Sequence, residues 1–408
     1  MFTSTRPAPA CVRSLRWRWP LATAAPSRFS LRLAGLLALL SLGGAQGVSG
    51  TDCRQVAAEE LPRLGGVEGV WLEADRFALV DSKRNRLLVY DAETGEVSYS
   101  GPPDFPWWLP DSKAGLSHPT AIGPDPEGVI LGLHTPPTPD TGGAASLLLL
   151  DNALRPRNLL RWTTKHREDS SPTPSLGAHI RELAVGAGRI FAWVKPGPSY
   201  FLLELERQPE EADEFDLVND WSTVEGEYPR LSHLPVRSLA TTRGELPGVF
   251  ALRFADRPFI QVLVGGRDKG EGEGMAGLSA FPHDVKVFPP LPQVTGWGSA
   301  DRFYAAAEAA EYAAGLYGDG AVLYLLARTV PELGKVAWRL HRIDPRTDSV
   351  LDSTDLPTRA PHVSLLPGER YWLLEESSSF ADDMFRQPTR LLLLDAEAVR
   401  SGRPIICD

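Results

Sequence analysis

Short apolar runs separated by polar turns carry most of this chain, and one stretch shows the unit in full. Residues 77–97, FALVDSKRNRLLVYDAETGEV, read apolar run, polar break, apolar run, Asp, turn, and then the start of a third run. FALV and RLLVY are rich in Val, Leu and aromatics and too brief for helices, so they predict strands. The segment after Tyr90 has the composition of a tight turn, with Gly95 free to take a positive φ. With RLLVYD at 86–91, the strand-then-acid signature returns as SLLLLD (146–151), YFLLELE (200–206), WRLHRID (338–344) and TRLLLLD (389–395), and RPFIQVLV (257–264) holds the corresponding place with Gly in place of the acid. Asp91 and Asp395 are 304 residues apart, five intervals with a mean near 61.

Each unit carries two more runs ahead of the signature. The first is VEGVWLE (67–73), HPTAIGPD (118–125), HIRELAVG (179–186), VRSLATT (236–242), EYAAGLYG (311–318) or HVSLLPG (362–368). A turn and a second apolar run follow, as in FALV, GVILGL, RIFAWV, GVFALRF, AVLYLLA and RYWLLE. Inner strand, second strand, acid-ending strand and outer strand make a four-stranded antiparallel blade. Six such units predict an all-β, six-bladed β-propeller over residues 51–408, closed by the chain termini. Two sandwich domains are the competing arrangement, disfavoured by the evenness of the six units.

HPTAIGPDPEGVILGL resembles the opening of NHL-type repeats, in which a Pro-led inner strand is followed by a D-P-x-G turn. The resemblance covers one unit well and the others loosely. It implies the six-bladed fold and no functional residues.

The first fifty residues stand apart. They hold six Arg and no acid, then LAGLLALLSL (33–42), then GGAQGVSG, the layout of a secretory signal peptide. The apolar run is shorter than the ~20 residues a membrane span needs. Removing residues 1–50 moves the net charge from −10 to −16, because six Arg leave and no acid does. So acidic a chain has no general attraction for nucleic acid or anionic membrane. A secreted or periplasmic monomer without a membrane span is the expectation. Of three Cys, Cys11 leaves with the signal, while Cys53 and Cys407 stand at the two ends of what remains. In an oxidising compartment they predict a disulfide, with RPIIC (403–407) as a terminal strand that locks the ring.

Known catalytic motifs are absent: no phosphate loop, dinucleotide fingerprint, G-x-S-x-G or H-E-x-x-H occurs. Asp301–Tyr312 (DRFYAAAEAAEY) reads as a short helix before the fifth unit, and Glu206–Asp216 as a solvated acidic loop. Two constellations remain. His118, His179 and His362 begin three inner strands, which in a propeller line the axis. They are candidate ligands for a divalent metal, or an acid and base, at one channel mouth; the bland alternative is a hydrated polar rim. Trp107, Trp108, Trp162, Trp221 and Trp297 fall in connections on the same face, and Trp107, Trp108, Trp221 and Trp297 are candidates for stacking on a protein or glycan ligand. The bland alternative there is core. Trp71, Trp193, Trp338 and Trp372 sit in strands and read as core. The leading expectation is a binding module for a protein or glycan. The alternative is a metal-assisted hydrolase or lyase at the channel mouth.

Overall fold

The computed structural model describes residues 51–56, 68–100, 118–125, 127–135, 144–163, 179–186, 188–195, 201–207, 214–220, 236–243, 247–254, 258–264, 277–278, 281–282, 285–286, 311–332, 335–377 and 388–407. In chain order, β1 (Cys53–Gln55) precedes blade 1, made of β2 (Gly69–Trp71), β3 (Arg76–Asp81), β4 (Arg86–Asp91) and β5 (Val97–Ser100). Blade 2 is β6 (His118–Asp125), β7 (Gly128–Thr135), β8 (Ala144–Leu150) and β9 (Pro156–Thr163). Blade 3 is β10 (His179–Gly186), β11 (Arg189–Lys195), β12 (Phe201–Arg207) and β13 (Glu214–Asp220). Blade 4 is β14 (Val236–Thr242), β15 (Gly248–Phe254), β16 (Pro258–Val264) and β17 (Gly277–Leu278). Blade 5 is β18 (Val285–Lys286), β19 (Glu311–Asp319), β20 (Val322–Glu332), β21 (Lys335–Asp344) and β22 (Ser349–Asp355). Blade 6 is β23 (His362–Leu366), β24 (Tyr371–Ser377) and β25 (Pro388–Asp395), followed by α1 (Ala396–Ser401).

Within each blade successive strands pair antiparallel, so every inner strand starts on one side of the ring and ends on the other. Two parallel pairings are added to this scheme. β9 and β13 join the outer edges of blades 2 and 3, and β18 lies beside β19.

The reason the strands read as unbroken apolar runs is that both faces are buried. In β3, Phe77 and Leu79 pack toward Leu373, Leu391 and Leu393 of blade 6, while Ala78 and Val80 pack toward Ile122 and Leu131 of blade 2. Six such clusters, one at each junction between neighbouring blades, form the core. Fully burying each Leu or Phe stabilises the ring by ~1.5–3 kcal/mol.

The acid that ends the third strand also has a local cause. Asp91 accepts from the backbone N–H groups of Thr94 (2.8 Å) and Glu93 (2.9 Å), which closes the turn into β5. Those donors, the Thr94 amide foremost, hold its carboxyl below the usual carboxylate range. Asp151 and Asp344 accept in the same way from the Arg155 and Arg346 amides, and Gly95 takes φ +76° in the blade 1 turn. Asp395 does a different job. It caps α1 by accepting from Glu397 N and Ala398 N, and Gly402 ends that helix at φ +69°.

Ring closure differs from the expectation in one respect. The strand that completes blade 6 is β1, antiparallel to β25 with Cys53 opposite Leu394, whereas 403–407 is not a strand. Pro404 has no N–H to give to a ladder. Asp52 binds the segment instead: its carboxylate takes Arg403 at 2.6 and 2.8 Å and the Ile406 N–H at 3.0 Å, and its own N–H reaches Ile406 O at 2.8 Å. The Arg403 hydrogen bond lowers the pKa of Asp52 although burial opposes it. The expected Cys53–Cys407 disulfide is present, with Cα atoms 5.1 Å apart, inside the usual range.

The proposed helix over 301–312 is corrected at its end, where Glu311 and Tyr312 belong to β19; residues 301–310 lie outside the described set. Among the described residues, no helix is long and apolar enough to cross a membrane.

Candidate functional site

The six inner strands β2, β6, β10, β14, β19 and β23 surround a cavity of about 1050 Å³ on the ring axis. Its walls are apolar at mid-height, where Val70, Ile122, Leu183, Leu239 and Leu365 contribute, and polar at both ends. The ends differ in what their polar groups do.

At the strand-end side the blades are tied to one another. The Arg243 N–H donates to Gly320 O, joining blades 4 and 5. A Cβ at Gly318 would fall inside the Thr241 carbonyl, so only glycine permits that approach. Trp71 Nε1 donates to Leu366 O at 3.2 Å, joining blades 1 and 6. Arg400 of α1 spans blades 5 and 6. It donates to Asp319 at 2.6 and 3.1 Å, to Glu369 O at 2.7 Å and to Gly368 O at 2.9 Å.

At the strand-start side the polar groups are side chains facing the cavity: His118 and Thr120 of blade 2, Arg181 and Glu182 of blade 3, Ser238 of blade 4, His362 and Ser364 of blade 6. Some are positioned by neighbours. Ser238 Oγ donates to Leu316 O at 2.9 Å and lies 3.4 Å from Glu182 Oε1. Ser364 Oγ donates to the buried Glu375 at 3.2 Å. The Arg181 guanidinium lies 5.8 Å from the centre of the Trp193 ring, within cation–π range.

A β-bulge recurs near the start of four inner strands, between Pro119 and Ala121, Ile180 and Glu182, Val236 and Ser238, and Ala313 and Gly315. Each inserts one residue at the same level of the ring. In blades 2, 3 and 5 that residue, Thr120, Arg181 or Ala314, lines the cavity.

Of the three candidate histidines, His118 and His362 line this one cavity. His179 begins β10, and its side chain lies outside the described set. His362 is also engaged sideways, its ring edge-on to Trp338 with centroids 6.4 Å apart. Among the described residues, no group of three or more His, Cys, Asp or Glu is arranged to hold a metal ion. Trp107, Trp108, Trp221 and Trp297 all lie outside the described residues, and Trp162, expected in a connection, belongs instead to the outer strand β9.

Trp338, Trp372 and Trp193 are buried as expected. Trp71 is not fully so: it is half-buried and forms part of the cavity wall. Most of the polar wall was missed by sequence reasoning: Thr120, Arg181, Glu182, Ser238 and Ser364 were not singled out. Trp193 was read as core alone, and His134, 8% exposed near the end of β7, was not singled out at all.

A second polar network lies in blade 5. His341 Nε2 meets Glu311 at 2.7 Å, His341 Nδ1 meets Ser353 Oγ at 2.7 Å, and Arg339 bridges Glu311 (2.7 Å) and Asp355 (2.8 Å). Burial pushes the pKa of His341 down, against the pull of Glu311. The network ties the inner strand of the blade to its outer strand.

No protein-family profile matches the chain, and no curated protein matches it. Several solved structures are similar in outline. A member of the duf4221 family from Bacteroides vulgatus is 8% identical, covering 84% of this chain and 92% of that one, with a TM-score of 0.46. Regucalcin, a calcium-binding protein from Agrobacterium tumefaciens, is 10% identical over 86% and 96%, with a TM-score of 0.44. The PQQ-bound aldose sugar dehydrogenase from Streptomyces coelicolor is 12% identical over 84% and 98%, with a TM-score of 0.41. At these values the similarity extends to no ligand or reaction.

Proposed function

We propose that the protein is an exported, monomeric binding protein that takes part of a protein or glycan ligand into its axial cavity through the strand-start mouth. The observation that carries this is the cavity itself. Its volume of about 1050 Å³ is at the top of the range for small-molecule sites, its middle is apolar, and polar side chains converge at one end. The strand-start mouth is favoured as the entrance because His118, Thr120, Arg181, Glu182 and Ser364 line the cavity there, whereas at the other end Arg400 is taken up by Asp319 and two carbonyls. Export is supported by the Cys53–Cys407 disulfide, which suits an oxidising compartment, and by the signal-like layout of residues 1–50.

The test pairs a screen with a blocked channel. A glycan array and a displayed-peptide library are probed with the protein and with Thr120→Trp, which narrows the mouth. The expected result is a set of related hits that the variant loses while its melting temperature is kept. Hits bound equally well by both proteins, or no hits above background from either source, would overturn the reading.

A further inference from the structure

We infer that the axial cavity receives the C-terminal end of a polypeptide, an assignment that rests on the binding role proposed for that cavity and names the part of the ligand that enters. The Arg181 guanidinium holds the α-carboxylate at the strand-start mouth, and the last side chain continues into the apolar belt. Arg181 reaches the wall through the bulge in β10. Ile180 pairs with Val194 and Glu182 with Trp193, so the ladder leaves Arg181 no partner of its own. Arg181 and Glu182, adjacent in sequence, therefore both line the cavity instead of alternating. The Arg181 guanidinium rests 5.8 Å from the centre of the Trp193 ring. Among the described residues it makes no hydrogen bond and no ion pair. Glu182, the neighbouring acid, meets Ser238 of blade 4 instead. Arg400, at the other end of the cavity, is taken up by Asp319 and two carbonyls.

A guanidinium is a planar fork of five donors that fits a carboxylate with two parallel hydrogen bonds. In a chain this acidic an anion finds no general attraction, so it is held only where a cation stands at a set place. The walls decide which carboxylate suits. Past the mouth Val70, Ile122, Leu183, Leu239 and Leu365 form the apolar belt. Sugar hydroxyls would lose water there without gaining partners, whereas an aliphatic or aromatic side chain gains by burial. Six inner strands enclose the axis, so a polypeptide enters most simply by one end, while a loop must bring two segments through the same mouth. Of the two ends, the N-terminal ammonium is repelled by Arg181 and the C-terminal carboxylate is its complement.

The experiment is fluorescence-polarisation titration of the full chain with a labelled hexapeptide pool, randomised at the last three positions and prepared both as free acid and as C-terminal amide. The free acid should bind about tenfold or more tightly than the amide. Arg181→Gln should abolish that difference and leave the weaker amide binding unchanged, and Arg181→Lys, which keeps the charge without the fork, should restore part of it. Melting temperature checks that both variants keep their packing. Equal binding of the two pools, no binding of either, or a preference for the free acid that survives Arg181→Gln would overturn the inference. Arg181-dependent binding of a uronate-rich glycan, or of dodecanoate, without binding of the peptides would also overturn it. Thr120→Trp separates the two claims. Equal binding of both pools that this variant blocks overturns the carboxylate assignment alone, whereas binding that it leaves unaltered overturns the cavity reading as well.

Discussion

The two ends of the axial cavity are made from the same six strands, yet they are put to different use. At the strand ends, polar groups are consumed in joining blades: Arg243 N–H to Gly320 O, Trp71 to Leu366 O, and Arg400 to Asp319 and to two carbonyls. At the strand starts, His118, Thr120, Arg181, Glu182 and Ser364 line the space, and the bulges add a residue at that level in four blades. Blades are tied at the strand starts as well, where Ser82 donates to Pro119 O and Ser238 to Leu316 O, but the strand-end ties are the more numerous and include the Arg400 cluster. The strand starts also keep side chains where a ligand can meet them, so substitutions at the two ends should have separable effects.

The largest effect belongs to the closure that carries Arg400. Replacing Cys53 and Cys407 together by Ser removes a crosslink between residues 354 positions apart and should cost ~4–5 kcal/mol, read as a fall in denaturant midpoint. Next is Gly318→Ala, whose Cβ has no room against Thr241 O; a loss of ~3 kcal/mol is expected as blades 4 and 5 separate. A loss below ~1 kcal/mol would show that the contact can relax. Arg400→Gln removes the ion pair while keeping a polar side chain, and ~1–2 kcal/mol is expected because the Asp319 carboxylate loses charged donors. The smallest change is at the mouth, where His118→Ala should move stability by no more than ~0.5 kcal/mol. A large loss there would mean that the mouth, like the floor, is structural.

Much of the ring was legible because blade strands are buried on both faces and end in an acid-capped turn. FALV, GVILGL and RIFAWV could hardly be anything but strands, and Asp91 and Asp151 marked the turns that follow. The closing strand was not legible. Cys53–Gln55 (CRQ) has no apolar pattern, and its place comes from pairing with β25 and from the disulfide, whereas RPIIC looks like a strand and is held by Asp52 instead. The helix Ala396–Ser401 is too short to show a period. At the site, the inner-strand starts were readable as a set, which placed His118 and His362 on the cavity. His134 was hidden by a single inserted residue, Thr120, because register shifts of that size leave no mark in composition.

The account's central claim, that the cavity is entered from the strand-start side, has a direct test in thiol access. Thr120 and Thr241 both line the cavity and are both partly exposed, one near each end. Each is changed to Cys in the protein with its disulfide intact, and modification is followed by peptide-resolved mass spectrometry. A small thiosulfonate should label both positions, whereas a bulky polyethylene-glycol maleimide should label Thr120→Cys far faster than Thr241→Cys. Equal rates with the bulky reagent, or a faster reaction at Thr241→Cys, would contradict the claim and move the open mouth to the strand ends.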